Sequence, residues 1–226
     1  MDRNILGIIV SLVFIFGVIG VSTILLKIKW LSNEGSRKFI HIVLSGWWII
    51  AMKYFDNIYY ASFVPLLFVV VNYISYKKAI FKSMEREDKS VNDLGTVYYV
   101  VTLFILAITT LGNEELKYIG AIGIFVMGFG DGFAAVIGKR FGKAKYEIFN
   151  SKRTVEGTLT MFFVSFIVIA IILNIYTTIG ITELLVKTLI ISIIATILEG
   201  ITPYGLDNLS VPLGTSLVSY ILLNLL

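Results

Sequence analysis

The sequence has 226 residues, 57% hydrophobic and 15% charged, with 19 Lys and Arg against 15 Asp and Glu. That balance and a mean hydropathy of +0.88 place it among integral membrane proteins and leave no stretch for a separate soluble domain. Cysteine is absent, which excludes disulfides, a thiolate nucleophile and zinc–thiolate sites, and the single histidine, His41, excludes a multi-histidine metal centre.

Crossing a hydrocarbon core of ~30 Å takes about 20 apolar residues. The candidate runs, in order, are Ile5–Leu26, Phe39–Phe55, Ile58–Tyr76, Gly95–Leu111, Tyr118–Ile137, Thr158–Tyr176, Leu184–Leu198 and Leu209–Leu226, the second and seventh being short. The expected fold is therefore all-α: a polytopic integral membrane protein with about eight transmembrane helices, forming a single membrane domain over 1–226. The first run is too long for a cleavable signal, its flank Asp2–Arg3 is hardly basic, and no small-residue cleavage site follows it. No internal repeat stands out, so an inverted-repeat transporter is not indicated.

Charge orders these runs. With the N-terminus outside, the loops at 27–38, 77–94 and 139–157 hold 15 of the 19 Lys and Arg residues, and the opposite side keeps only Arg3, Lys53, Lys117 and Lys187. The positive-inside rule puts the basic loops in the cytoplasm. The pI near 9.1 thereby reads as topology and not as a nucleic-acid surface. The segment MEREDKSVNDLG, with balanced charges, reads as solvated surface without a role.

The orientation also gathers the unusual polar residues at one face. Asp131 precedes Lys139 by eight residues, roughly 12 Å from the cytoplasmic end of a helix. Arg37, Lys38 and His41 open the second run, Glu156 closes the third basic loop, and Glu199, Asp207 and Asn208 lie in EGITPYGLDNLSVP, a last cytoplasmic loop around 199–208 without Lys or Arg. A carboxylate inside a span costs several kcal/mol unless it is paired, wet or bound to a cation, so Asp131 needs a partner. Gly128, Asp131, Ala135, Gly138 and Gly142 recur at spacings that share one helix face, which also suits close helix packing.

Eight residues after Gly142 comes SKRTVEG, leading directly into the sixth run. Lys152 and Arg153 are thus expected at a helix N-terminus, where free N–H groups and the helix dipole favour anions. Acids beside such a loop offer hard oxygen ligands for Mg²⁺ on nucleotide phosphates. The sequence carries neither a Walker loop nor a Rossmann fingerprint. The chemistry indicated is phosphoryl or nucleotidyl transfer at a membrane face.

Taken together, Asp131-x-x-Ala134-x-x-x-Gly138-x-x-x-Gly142 followed by Lys152-Arg153-Thr154-x-Glu156-Gly157 resembles the CTP-binding signature of the dolichol kinase family, which includes phytol kinases and CTP-dependent diacylglycerol kinases. Arg37-Lys38-x-x-His41 and Glu199 with Asp207-Asn208 are similar to its flanking motifs. The match spans residues 37 to 208, with arginine for the second lysine as its departure. The resemblance implies an enzyme moving the γ-phosphoryl of CTP to a membrane lipid alcohol, with the active site facing the cytoplasm from a cell membrane (or from the endoplasmic reticulum in a eukaryote).

By that resemblance, Asp131, Glu199 and Asp207 are catalytic, and Asp131 with one or more of Glu156, Glu199 and Asp207 holds Mg²⁺. The nucleotide would lie against Gly138, Gly142, Lys152, Arg153, Thr154, Glu156 and Gly157. Arg37, Lys38, His41 and Asn208 would contact substrate or phosphate, and a carboxylate or His41 would take the alcohol proton. Phosphatidate cytidylyltransferases look alike in the central stretch, but their lysine–aspartate and glycine–histidine-rich C-terminal signature is missing here. A small transporter is the reading of another class; its polar residues should sit near the midplane rather than crowd one face.

Overall fold

The computed structural model describes residues 2–78, 80 and 94–225; the charged segment over 81–93, with most of MEREDKSVNDLG, lies outside them. The described chain is almost wholly helical. Five helical stretches are long and apolar enough to cross a membrane: α1 (Arg3–Lys27), α4 (Ile58–Lys78), the rod Lys117–Phe141, α8 (Val155–Tyr176) and α9 (Ile181–Ile201). Gly95–Thr110, α5, is a shorter apolar helix. The second expected run is a pair, α2 (Asn33–Ser45) and α3 (Trp47–Tyr54), and the last is α10 (Asp207–Asn224).

Helix ends follow local chemistry. Asp2 accepts the amides of Asn4 and Ile5 at the start of α1, and Ser32 accepts the Gly35 amide at the start of α2, satisfying donors that a helix N-terminus otherwise leaves free. Because Ser32 starts α2 well before the apolar run, Arg37 and Lys38 belong to the helix and not to a loop. α2 stops at Gly46, whose amide bonds the Val43 carbonyl in a tight turn, and α3 continues with the fully buried Trp47 and Trp48. Trp47 Nε1 donates to Ser11 Oγ at 2.9 Å and Trp48 Nε1 to the Lys117 carbonyl at 3.1 Å, so both indoles are buried with their polar edge satisfied.

The rod that carries Asp131 is not a continuous α-helix. α6 (Lys117–Phe125) passes into a π-helical turn over Val126–Asp131 and resumes as α7 (Gly132–Phe141). An i→i+5 turn shifts the helix face that follows it, and such bulges recur at functional positions. α6 and the π-turn are almost wholly buried, so this part of the rod is the axis against which α2, α8 and α10 pack.

The loop expected over 139–157 contains the described chain's sheet, an antiparallel hairpin of β1 (Lys145–Ile148) and β2 (Ser151–Thr154) in the register Lys145↔Thr154 to Ile148↔Ser151. Phe149 and Asn150 turn it with φ of 47° and 63°, the pair of positive φ angles that a two-residue hairpin turn requires. Thr154 then accepts the Gly157 amide at 3.1 Å and starts α8. Lys152 and Arg153 therefore stand on a strand beside the helix N-terminus rather than on it, which corrects the sequence expectation.

At the opposite end of the bundle, charges pair locally. Lys117 meets Glu114, and Lys187 meets Glu183 at 2.8 Å.

Candidate functional site

The site is assembled from helix ends that meet at the hairpin: the start of α2, the end of α7, the start of α8, the end of α9 and the start of α10. What brings α2 against the rod is the absence of side chains. A Cβ on Gly128 would collide with Ser45, and one on Gly132 with Ile42. Glycine at these two positions lets the α2 backbone close onto the π-turn. Lys38 then forms an ion pair with Asp131, 93 positions along the chain, with both residues buried at 6% and 3% exposure. Lys38, expected to contact substrate or phosphate, also supplies the partner that a membrane-embedded carboxylate requires.

A second ion-pair cluster, its carboxylates buried and its arginine half-buried, lies across the cavity. Arg153 reaches from β2 to Glu199 on α9, Nε to Oε1 at 2.5 Å, and to Asp207 on α10, Nη2 to Oδ2 at 2.9 Å. The same guanidinium donates to the Glu199 backbone carbonyl at 3.2 Å. Burial works against its charge, but Glu199, Asp207 and Asp131 outweigh burial and hold its pKa above the ordinary arginine value. The planar fork engages both carboxylates in a fixed geometry, which the point-like ammonium of a lysine does not impose. This is where the departure from the family's second lysine falls.

Asp207 and Asn208 form the first turn of α10 rather than a loop. Asp207 Oδ1 accepts the Asn208 amide at 3.0 Å, and Asn208 Nδ2 donates to the Gly205 carbonyl at 3.0 Å. Thr102 on α5 holds the Asn208 carbonyl at 2.8 Å. Gly205, at φ 77°, and Tyr204, at φ 58°, make the sharp reversal from α9 into α10 that sets Glu199 beside Asp207.

Between the two ion pairs lies a cavity of about 750 Å³. Asp131, Glu199, Asp207, Asn208, Arg37, Lys38, Gly138, Gly142, Lys152, Arg153, Thr154 and Gly157, all picked from the sequence, line it. Two expected members do not. Glu156 accepts the Lys143 amide through Oε1 at 2.9 Å and ties the hairpin to the start of α8. His41 lies one turn deeper, its ring 4.5 Å from the Tyr99 ring. Gly138, Gly142 and Gly157 act through closeness: a Cβ on Gly138 would stand 2.8 Å from Thr154 Oγ1, and one on Gly157 would stand 3.1 Å from the Ala134 carbonyl.

Several cavity residues went unremarked in the sequence. Glu34 ion-pairs with Arg37 at 3.7 Å and with Lys139 at 3.4 Å, joining α2 to α7 at the rim. Its i,i+3 spacing from Arg37 was the available signal. Tyr146 and Thr158 also line the cavity and share a hydrogen bond, but nothing in their local pattern marks them.

The donor set was tested against a divalent cation. Among the described residues no three His, Asp or Glu side chains gather to hold a metal by themselves. The cavity does present buried oxygens without a hydrogen-bond partner, Glu199 Oε2 and Asn208 Oδ1. Mg²⁺ in nucleotide sites is usually held by one or two carboxylates plus substrate phosphates and water. That chemistry fits this donor set.

Comparison with known proteins agrees in kind. A phytol kinase of Synechocystis is 33% identical over 195 residues, covering 83% of this chain and 78% of its own. Phytol kinase 1, chloroplastic, of Arabidopsis thaliana is 32% identical over 203 residues, 82% of this chain but 66% of that protein. Dolichol kinase of Saccharomyces cerevisiae is 26% identical over 168 residues, 70% of this chain and 31% of that one. No family model matches the chain, and no solved structure does.

Proposed function

Because the chain belongs to the family of phytol and dolichol kinases, phosphotransferases with an alcohol as acceptor, we propose that it moves the γ-phosphoryl of CTP to the hydroxyl of a membrane isoprenoid alcohol of the polyprenol, phytol or geranylgeraniol type. The observation that carries this reading is the cavity between the two ion-pair clusters. Its volume of about 750 Å³ lies within the roughly 300–1,000 Å³ of small-molecule sites. Its lining alternates six Lys and Arg with five Asp and Glu side chains.

That near-neutral lining falls far short of a triphosphate's charge, and a divalent cation makes up the difference. One or two of Asp131, Glu199 and Asp207 would hold it together with phosphate oxygens and water, with the unpartnered Asn208 Oδ1 nearby. When bound, it neutralises charge on the phosphate oxygens during transfer. The remaining work falls to the chain itself. Lys152, exposed at the mouth, meets the phosphates. Arg153 locks Glu199 and Asp207 in place, and Lys38 orients Asp131. The alcohol oxygen forms a bond to the γ-phosphorus as the bond from that phosphorus to the bridging oxygen breaks. CDP leaves, and the hydroxyl proton passes to a base in the cavity.

The orientation rests on charge. All five helix ends of the site lie on the side of the basic loops, which the positive-inside rule assigns to the cytoplasm. On this reading residues 1–226 form one membrane domain whose segments 27–38, 139–157 and 199–208, helix ends and the hairpin included, frame the active site. The test is a panel of nucleoside triphosphates against lipid alcohols with the purified protein and Mg²⁺. A lipid phosphate is expected with CTP and an isoprenoid alcohol. Equal turnover with ATP or GTP would contradict the nucleotide assignment, and no product with any alcohol would contradict the reaction.

A further inference from the structure

A second pocket opens between α1, α2, α4 and α5, next to the cavity and sharing Arg37 with it. Its wall is apolar: Ile15 and Ile19 from α1, Val64 and Phe68 from α4, Val100 and Leu103 from α5. Its polar end lies towards the start of α2. There His41, 3% exposed, has neither ring nitrogen hydrogen-bonded, and Asn72 Oδ1 and Arg37 Nε are likewise buried without a hydrogen-bond partner. Buried polar atoms are nearly always satisfied, so four such atoms at one end of a greasy slot call for a ligand group that both donates and accepts.

Arg37 lines this pocket and the phosphate cavity alike. The open space is about 30 Å³, room for two or three water-sized groups at about 10–15 Å³ each. That is too small for a nucleotide. It suits a hydroxyl and the one or two carbons next to it, between His41 at its polar end and the apolar wall.

We propose that this pocket receives the head of the acceptor alcohol. His41 and Asn72 hold its hydroxyl, the walls of α1, α4 and α5 hold the first isoprene carbons, and Arg37 joins the hydroxyl to the phosphate cavity. The rest of the tail continues between the helices into the bilayer. The assignment rests on the kinase reading for the identity of the acceptor, but its geometry is independent of the nucleotide.

A C20 isoprenoid alcohol with a diazirine in its first isoprene unit tests it. After irradiation of the purified protein, peptide mapping is expected to place the label on Val64, Phe68, Val100 or Leu103, and unlabelled alcohol should compete it away. Label confined to the outer faces of α8 and α9, or unaffected by competitor, overturns the proposal. As a second arm, Val100→Phe should raise the KM for alcohol at least about tenfold, the scale on which apolar pockets discriminate, while leaving the KM for nucleotide unchanged. Equal changes in both, or in neither, count against the site. Labelling reads binding without turnover. A pocket labelled in a protein that phosphorylates no alcohol would sink the kinase reading alone, and turnover without pocket label would sink this site alone.

Discussion

Replacing Asp131 by Asn separates what this carboxylate does for the fold from what it does for the reaction. Lys38 and Asp131 are 6% and 3% exposed and pair with each other, so the variant leaves the ammonium buried opposite a neutral amide. Removing one partner of a buried pair costs about 3–5 kcal/mol. At about 2–4 °C per kcal/mol for a chain of this size, the melting temperature should fall by roughly 6–20 °C. The double variant Lys38→Met/Asp131→Leu replaces both charges by apolar side chains of similar volume. Buried pairs replaced together by neutral groups are often no less stable, so its melting temperature should return most of the way. Turnover should be lost in both variants, because the carboxylate proposed to hold the metal is gone in both. Thermal unfolding in detergent and a γ-phosphoryl transfer assay on the same samples read the two quantities. Full turnover by either variant would refute the catalytic role, and an unchanged melting temperature in Asp131→Asn would refute the buried pair.

Other expectations are simpler to read. Lys152→Ala should weaken nucleotide binding strongly, whereas Lys143→Ala should matter little, since Lys143 contributes its backbone amide to Glu156; nucleotide KM for both variants checks this. Glu156→Ala should keep turnover but speed proteolytic cutting of the hairpin, because the carboxylate fastens Lys143 to the start of α8; loss of turnover with an intact hairpin would return Glu156 to the metal site. In this cysteine-free chain, single cysteines at Lys145 and Leu206 should react with an impermeant thiol reagent only from the cytoplasmic side, and one at Asn113 only from outside. Reaction of the Lys145 and Asn113 positions from the same side would overturn the eight-span topology.

Much of this was legible in the sequence, for physical reasons. Apolar runs near 20 residues have few alternatives to membrane helices, and a lone acid inside one advertises a site. Asp131, Arg153, Glu199, Asp207 and Asn208 were therefore singled out, and the fold brings them from four separate segments to one cavity. What could not be read were features fixed by tertiary contact. The π-turn before Asp131 accompanies the close seating of Gly128 and Gly132 on α2, and no local pattern announces it. Lys38 looks like any basic residue at a cytoplasmic helix end until its pairing with Asp131 is seen. The hairpin's strands are four residues each, too short for their alternation to stand out from a basic loop. Glu156 matched a motif, yet its helix start turns it towards the Lys143 amide instead of the cavity.

The reaction itself is tested most directly by where an isotope goes. A kinase passes on only the γ-phosphoryl and releases CDP, whereas a cytidylyltransferase attaches the α-phosphoryl with its cytidine and releases pyrophosphate. Both use Mg²⁺ and a basic cavity, so variants at Lys152 cannot separate them. With a long-chain isoprenoid alcohol as acceptor, γ-labelled CTP should put label into an organic-soluble lipid phosphate and α-labelled CTP should not. Lipid labelled from α-labelled CTP with phosphatidate as acceptor, and none from γ-labelled CTP with any alcohol, would contradict the account.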